Sequence, residues 1–239
     1  MSAETEYERE LAAADGARGT SETAGGGAHA APDDAAPDVG APHPPQVLIS
    51  GGDPLALGLM AFALGTLVVG MSTVGVFPAS VLGGVVPVVF GFCGIALFTA
   101  TWWSYLQGAS LLAATFGTVS GFFFSLAALL LGLAHNWYGV APGDVYAVQE
   151  IFYIVWCCFF IALFVPFLRF PVIYPITVFF VVVLLALAAA AVFTGSAVLE
   201  MASGAATLLV SFLLFWEWLN VTMTSVGMRK APPLGPVLA

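Results

Sequence analysis

The sequence predicts an all-α membrane protein with six transmembrane helices, and two observations support this prediction. Of the 239 residues, 60% are hydrophobic and 8% are charged, which is too little charge to cover the surface of a soluble domain. In addition, six apolar runs are each long enough to cross the hydrocarbon core of a bilayer. They lie near residues 54–74, 81–103, 110–133, 147–168, 172–194 and 199–221.

Helix 1 has the clearest start signal in the chain. Asp53 is a favoured N-cap residue because its carboxylate accepts unpaired backbone N–H groups. Pro54 suits the first helical position because the N–H that it lacks would be unpaired there anyway. Small residues such as Gly58 and Gly65 alternate with large ones, and small residues let transmembrane helices approach closely. We therefore expect helix 1 to pack inside the bundle.

Turn-forming or polar residues separate the six runs. The breaks lie at residues 75–78, 107–108, 135–144, 169–171 and 194–196. The break between helices 4 and 5 has the weakest signal, since it depends on Arg169 and Pro171 alone. Without it, however, one helix would run from the start of the fourth run to the end of the fifth, too long for a single span.

Three regions follow from this pattern: a tail over 1–50, a six-helix domain over 51–225 and a short C-terminal tail over 226–239. The first region holds nine of the fourteen acidic residues and few large apolar side chains. Such a segment buries too little surface to offset its ordering entropy, so we expect it to be disordered. It also lacks the basic start and apolar core of a signal peptide.

The distribution of lysine and arginine predicts the topology. The connections after helices 1, 3 and 5 contain neither residue, whereas Arg169 follows helix 4, and Arg229 and Lys230 follow helix 6. The positive-inside rule then places both termini in the cytoplasm of a multi-pass plasma-membrane protein.

The sequence contains no motif for catalysis, for a cofactor or for nucleic acid. Cys93, Cys157 and Cys158 all lie in apolar runs, without the spacing of a metal site or a disulfide framework. We therefore expect no metal, no cofactor and no enzymatic activity, and we expect the lipid bilayer to be the main partner.

Hydroxyl side chains cluster in helix 3 around the GxxxG sequence from Gly117 to Gly121. This motif by itself indicates close helix packing and is common. The neighbouring Thr115, Thr118 and Ser120 could also line a polar path through the membrane. Both interpretations remain open at this point.

Five acidic residues remain after residue 51, and a carboxyl group at membrane depth is costly and usually functional. Glu150 and Glu200 begin their helices, as first-turn acids do. Glu217 lies near the end of helix 6, where it is either a solvated interfacial carboxylate or a proton-exchanging group at a pore mouth. None of the five is clearly at mid-membrane, which favours a pore lined by hydroxyls, backbone and apolar side chains.

The residues from Asp53 to Phe62 resemble the helix-1 signature of the acetate uptake transporter family, the succinate–acetate permeases. The family's usual form is Asn-Pro-Ala/Val-Pro-Leu/Phe-Gly-Leu, then any residue, a small residue and Phe. This chain keeps Pro54, Leu57, Gly58, Leu59, Ala61 and Phe62. It departs from the signature at Asp53, Leu55 and Ala56.

Later segments extend the resemblance over about residues 50–238, and the last of them, Pro233-Leu-Gly, is similar to the family's terminal Leu-Pro-Ile-Gly. The segment from Phe116 to Ser125 is similar to the family's Ser-Tyr-Gly-Gly/Ser-Phe-Trp block, with Val119 at the position of the tyrosine. The segment from Glu217 to Asn220 is similar to the Glu-Val-Leu-Asn end of the family's helix 6.

The resemblance implies a pore through each six-helix protomer of a cyclic hexamer, and an apolar constriction at Phe62, Val119 and Val181. It also implies passage of small carboxylates, proton-coupled or channel-like. The predicted pathway residues, from the resemblance and from the helix patterns together, are Asp53, Pro54, Leu57, Gly58, Phe62, Thr115, Thr118, Val119, Ser120, Val181, Glu217 and Asn220.

The departure at Asp53 bears on the substrate. An ionised aspartate would repel the anions that a helix N-terminus attracts. Either Asp53 is protonated during transport, or this protein prefers another solute.

The leading prediction is transport of acetate and related small carboxylates, with succinate among them. The second is a channel for a small neutral solute such as urea or a short amide, and the third is a membrane scaffold whose acidic tail recruits a partner.

Overall fold

The computed structural model describes residues 52–78 and 83–237, and the six predicted membrane-spanning helices are present within them. The helices are α1 (Pro54–Thr73), α2 (Ile95–Leu106), α3 (Ser110–Ala134), α4 (Val145–Phe167), α5 (Ile173–Thr194) and α6 (Ala197–Ser225). A π-helical segment, Pro87–Gly94, runs directly into α2 and completes the second span. The predicted acidic tail over 1–50 lies outside the described residues.

Local sequence explains where several helices begin and end. Asp53 caps α1, since its side chain accepts the Leu55 N–H at 2.8 Å, and Pro54 occupies the first turn as predicted. Gly195 ends α5 with a φ of +63°, a left-handed conformation that glycine adopts without steric cost. The break between helices 4 and 5 is also confirmed, because α4 ends at Phe167 and α5 begins at Ile173.

The second span is less regular than the sequence predicted. Its first part is the π-helical segment. In an irregular helix some backbone carbonyl groups lose their usual partners and must accept hydrogen bonds from other donors. The buried Ser120 of α3 donates its hydroxyl to the Gly94 carbonyl at 2.8 Å, at the end of that segment. Ser120 therefore ties α3 to the irregular part of the second span.

The helices form a ring around a central space. Contacts run from α4 to α5, α6, α1, the second span and α3, and a few contacts between α3 and α4 close the circle. Each helix therefore presents one side to the middle of the protomer and another to the outside.

Two glycines of α1 receive two phenylalanines of α3. A Cβ atom at Gly58 would lie 2.2 Å from the ring of Phe116, and one at Gly65 would lie 2.3 Å from the ring of Phe123. Both pairs are spaced by seven residues, which is two helical turns. This packing confirms that the small residues of α1 face the interior of the bundle.

The C-terminal segment, residues 232–237, folds back over the start of α5. The carbonyls of Leu234 and Pro236 accept the backbone N–H groups of Ile173 at 3.2 Å and Val172 at 2.9 Å. These N–H groups have no partner inside their own helix, so the segment acts as a backbone cap. Asn220 of α6 holds the segment in place by donating its amide to the Pro232 carbonyl at 2.6 Å.

Large apolar side chains cover the outer surface of the helix bundle. Ile151, Val155 and Val165 of α4 are each at least 60% exposed, and Phe98 and Phe212 are more than half exposed. A surface of this kind suits lipid chains or neighbouring subunits rather than water.

Candidate transport pathway

A large cavity lies between α1, α3, α4, α5 and α6, at the end of the bundle where α1 starts and α6 ends. We call it the terminal-side cavity. Its volume is about 400 Å³. Its walls are mostly apolar and include Phe62, Phe116, Phe160, Leu163, Phe167, Val178, Val181 and Leu214.

Glu217 is the only charged side chain among the described residues that line this cavity. Its side chain is 1% exposed, so the sequence-based alternative of a solvated interfacial carboxylate does not hold. The Thr177 hydroxyl of α5 hydrogen-bonds to Glu217 Oε1 and also lies 3.0 Å from the Ile173 carbonyl. A buried carboxyl group is thus joined to a hydroxyl that has two acceptors within reach.

The Thr177 hydroxyl carries one hydrogen and can donate to one acceptor at a time. When Glu217 is ionised, the hydroxyl donates to the carboxylate. When Glu217 carries a proton, the carboxyl group can donate to Thr177, which then donates to the Ile173 carbonyl. The same contacts therefore accommodate Glu217 with or without a proton.

Glu217 lines the cavity, and only one of its two carboxyl oxygens has a hydrogen-bond partner among the described residues. Within the described residues, Thr177 is the one hydrogen-bond partner of the carboxyl group, and it contacts Oε1. Every fully buried side-chain oxygen in this part of the chain has a partner. Oε2 is therefore not fully buried, although the side chain as a whole is 1% exposed.

A smaller cavity, which we call the central cavity, lies further along the same helices. Its volume is about 40 Å³, enough for about one water molecule. Thr66 and Thr207 are its polar lining residues, and both donate their hydroxyls to carbonyls of their own helices. No charged side chain of the described residues lines it.

Three apolar residues line both cavities and stand between them: Phe62 of α1, Phe160 of α4 and Val181 of α5. All three are at least 90% buried. We call this set the apolar ring. An ion crossing it would lose its hydration without gaining a charged or hydrogen-bonding partner, which is very costly.

The predicted constriction matches this ring at two of its three positions. Phe62 and Val181 belong to it, but Val119 is fully buried and lines neither cavity. The third position is taken by Phe160, from a different helix. Nothing in the sequence distinguished Phe160, since it lies in a long apolar run with six other aromatic residues.

Of the twelve predicted pathway residues, four line the terminal-side cavity: Phe62, Thr115, Val181 and Glu217. The other eight lie outside both cavities: Asp53, Pro54, Leu57, Gly58, Thr118, Val119, Ser120 and Asn220.

Several of these eight have structural contacts instead. Asp53 is exposed and caps α1, and Gly58 seats the Phe116 ring. Thr118 donates to the Ala114 carbonyl of its own helix at 2.8 Å, and Asn220 holds the C-terminal segment. In the GxxxG sequence, a Cβ at Gly121 would meet only Trp156, at 3.9 Å, so this glycine does not bring two backbones together.

Sequence reasoning missed Thr177 and Tyr174, the two polar residues that α5 adds to the terminal-side cavity. A hydroxyl inside an otherwise apolar run was the available signal for Thr177. Its pairing with Glu217, forty positions later, depends on the packing of α5 against α6.

Comparisons with known proteins agree with this architecture. The bacterial acetate channel SatP has a similar structure, with a TM-score of 0.70 at 22% sequence identity, over 77% of this chain and 99% of that one. No curated protein sequence is significantly similar to the chain. The family model described as GPR1/FUN34/yaaH matches residues 38–230. The protein is therefore a member of the GPR1/FUN34/yaaH family, the acetate transporter family that its helix-1 residues predicted, and is a membrane transport protein rather than an enzyme.

Proposed function

We propose that this protein carries acetate and related small carboxylates across the membrane through the two cavities of each protomer. The observation that carries the proposal is the terminal-side cavity, which joins an apolar wall to one buried carboxyl–hydroxyl pair, Glu217 and Thr177. The likeness to a channel named for acetate supports the choice of solute.

The charges in the pathway favour movement of a carboxylate together with a proton. A carboxylate beside an ionised Glu217 would be repelled, and one proton between the two groups removes this repulsion. The apolar ring of Phe62, Phe160 and Val181 also opposes an ion much more than a neutral acid. We therefore propose proton-coupled transport rather than free passage of the anion. Succinate would need a proton for each of its two carboxyl groups.

A channel for a small neutral solute such as urea is the second candidate. One observation favours it: among the described residues, no lysine, arginine or histidine lines either cavity. An anion in the terminal-side cavity would therefore find no positive partner, whereas urea needs none.

We also propose a plasma-membrane location, both termini in the cytoplasm and a hexameric assembly. The positive residues Arg169, Arg229 and Lys230 support this orientation. The exposed apolar side chains on α4 and α6 are compatible with contacts between subunits.

Uptake of labelled acetate into proteoliposomes, with and without an inward proton gradient, tests the proposal. Succinate and urea are added as competitors in the same assay, and empty liposomes correct for passive entry of acetic acid. We expect the gradient to increase acetate uptake and succinate to inhibit it. Absence of acetate flux together with rapid swelling in urea would instead assign the protein to the neutral-solute class.

A further inference from the structure

The terminal-side cavity is far larger than acetate requires. Its volume is about 400 Å³, whereas an engineered apolar cavity of about 150 Å³ holds a benzene molecule and otherwise stays dry. The single methyl group of acetate would leave most of the apolar wall of this cavity without a partner.

The walls suit a large apolar group. Phenylalanine rings line the cavity from three helices, at Phe62, Phe116 and Phe160, and aliphatic side chains such as Leu163 and Leu214 lie between them. Ligand pockets of this size are usually mostly apolar, with a few polar groups that fix the orientation of the ligand.

The polar groups are concentrated at Glu217. Glu217 lines the cavity, Thr177 contacts its Oε1, and its Oε2 has no hydrogen-bond partner among the described residues. Tyr174 of α5 also lines the cavity, within electrostatic range of both Glu217 and Asp53. Ser110 and Thr115 are the polar residues that α3 adds to the lining, and α4 contributes apolar side chains.

We infer that this cavity binds monocarboxylic acids with a bulky apolar part, such as hexanoic and benzoic acids, and that the ligand's carboxyl group shares one proton with Glu217. The inference rests on the proposed transport function and defines its substrate class. The apolar part of the ligand replaces empty space against the phenylalanine rings.

One proton balances the charges at the polar end of the cavity. Two ionised carboxyl groups in contact repel each other, whereas one proton held between them forms a charge-assisted hydrogen bond. Above the pH at which both groups ionise in the free state, each bound ligand must bring one proton from solution. Affinity should therefore fall about tenfold for each further unit of pH.

Chain length should affect affinity strongly. Each buried methylene adds about a fourfold gain in binding, so hexanoate, with four more methylenes, should bind about 250-fold more tightly than acetate. Isothermal titration calorimetry on the full-length protein in nanodiscs measures both affinities, with empty nanodiscs to subtract partition into lipid.

The pH dependence identifies the group that holds the proton. In the wild-type protein, hexanoate affinity should fall on the alkaline side, whereas hexanamide, a neutral molecule of the same size, should show no such fall. In Glu217→Gln, the amide can donate to the carboxylate without a proton, so the fall for hexanoate should disappear. Glu200→Gln is the matched control, on the same helix but exposed, and it should keep the wild-type profile.

A larger side chain in the apolar wall tests whether this wall binds the hydrocarbon chain of the ligand. Leu163→Trp should remove most of the preference for hexanoate over acetate, because the indole occupies the space for the chain. Val165→Trp is the matched control, since Val165 is 64% exposed on the outside of the same helix.

Equal affinities for acetate and hexanoate in the wild-type protein would overturn the inference. So would a hexanoate profile that does not fall at alkaline pH, or one that falls equally in Glu217→Gln. If a variant does not fold, the wild-type comparisons of hexanoate with acetate and with hexanamide still test the substrate class and the uptake of a proton with the ligand. Acetate uptake by proteoliposomes is measured separately, so uptake without hexanoate preference leaves the proposed function standing, and hexanoate binding without acetate uptake removes acetate as the substrate.

Discussion

The two cavities of this protein are lined by overlapping helices but differ in size and chemistry. The terminal-side cavity has about 400 Å³ and contains Glu217, whereas the central cavity has about 40 Å³ and contains no charged side chain among the described residues. Phe62, Phe160 and Val181 belong to both. The difference suggests a division of roles, with recognition in the first cavity and restriction of passage at the ring and beyond it.

The two cavities also differ in the hydrogen bonds that their threonine hydroxyl groups make. In the central cavity, Thr66 and Thr207 donate to carbonyls of their own helices and need no other partner. In the terminal-side cavity, Thr115 also donates to its own helix, whereas Thr177 connects its own helix to a carboxyl group on another. A hydroxyl in a transmembrane helix is therefore not by itself a sign of a polar path, and only its partner distinguishes the two cases.

A larger side chain in the apolar ring should have the largest effect on transport. In Val181→Phe, a larger side chain narrows the passage between the two cavities, and a transport barrier raised by about 1–3 kcal/mol corresponds to about a fivefold to 150-fold loss of acetate flux. Val183→Phe is the matched control, because Val183 lies two residues away and lines neither cavity. Initial uptake rates in proteoliposomes measure the effect, and an equal loss in both variants would show that Val181 does not lie in the pathway.

Removing the Thr177 hydroxyl should destabilise the protein more than removing that of Thr207. Thr177→Val takes away the hydrogen-bond partner of a buried carboxyl group, at a cost of about 1–3 kcal/mol. Thr207→Val loses only a bond to its own helix and should cost about 1 kcal/mol or less. Thermal unfolding of the two variants in the same detergent compares them, and equal Tm values would mean that Thr177 does not support Glu217.

Alanine substitutions at Gly58 and Gly65 should show how much free space each cavity offers to a displaced phenylalanine ring of α3. At Gly65 the displaced Phe123 ring is fully buried beside the small cavity, so Gly65→Ala should cost about 1–3 kcal/mol. At Gly58 the Phe116 ring can move into the large cavity, and alanine favours the helix by about 1 kcal/mol. Gly58→Ala should therefore be nearly neutral. Tm measurements test this order, and a greater loss of stability in Gly58→Ala would contradict it.

The smallest effect should come from Asp53→Asn. Asparagine caps a helix about as well as aspartate does, so stability should change by less than about 0.5 kcal/mol. Because Asp53 is exposed and outside both cavities, the pH dependence of acetate uptake should also stay the same. A flattened pH dependence would make Asp53 the proton-binding group and would remove that role from Glu217.

The apolar runs and their breaks were sufficient to predict the membrane class, the six helices and most of their ends. The reason is physical: a segment in a bilayer must satisfy its own backbone groups, so length and hydropathy largely decide that it is a helix. Asp53 and Pro54 predicted the start of α1 because capping is a local interaction. The family signature in α1 could also be recognised from consecutive residues.

Less of the candidate site than of the fold could be predicted from the sequence. Glu217 was recognised because a carboxyl group near membrane depth is rare, but its burial and its bond to Thr177 were not predictable. Val119 was assigned to the constriction by position in the family motif, whereas in the structure Phe160 lines both cavities and Val119 lines neither.

The sequence by itself therefore determined the class of protein, the number of helices, the family and the candidate carboxyl group. Tertiary structure alone decided which side chains meet in the middle of the ring: Thr177 with Glu217, and Phe160 with Phe62 and Val181. In helices this apolar, hydropathy does not distinguish the face toward the cavity from the face toward lipid. That choice depends on how the helices pack against one another, through contacts between residues far apart in the chain.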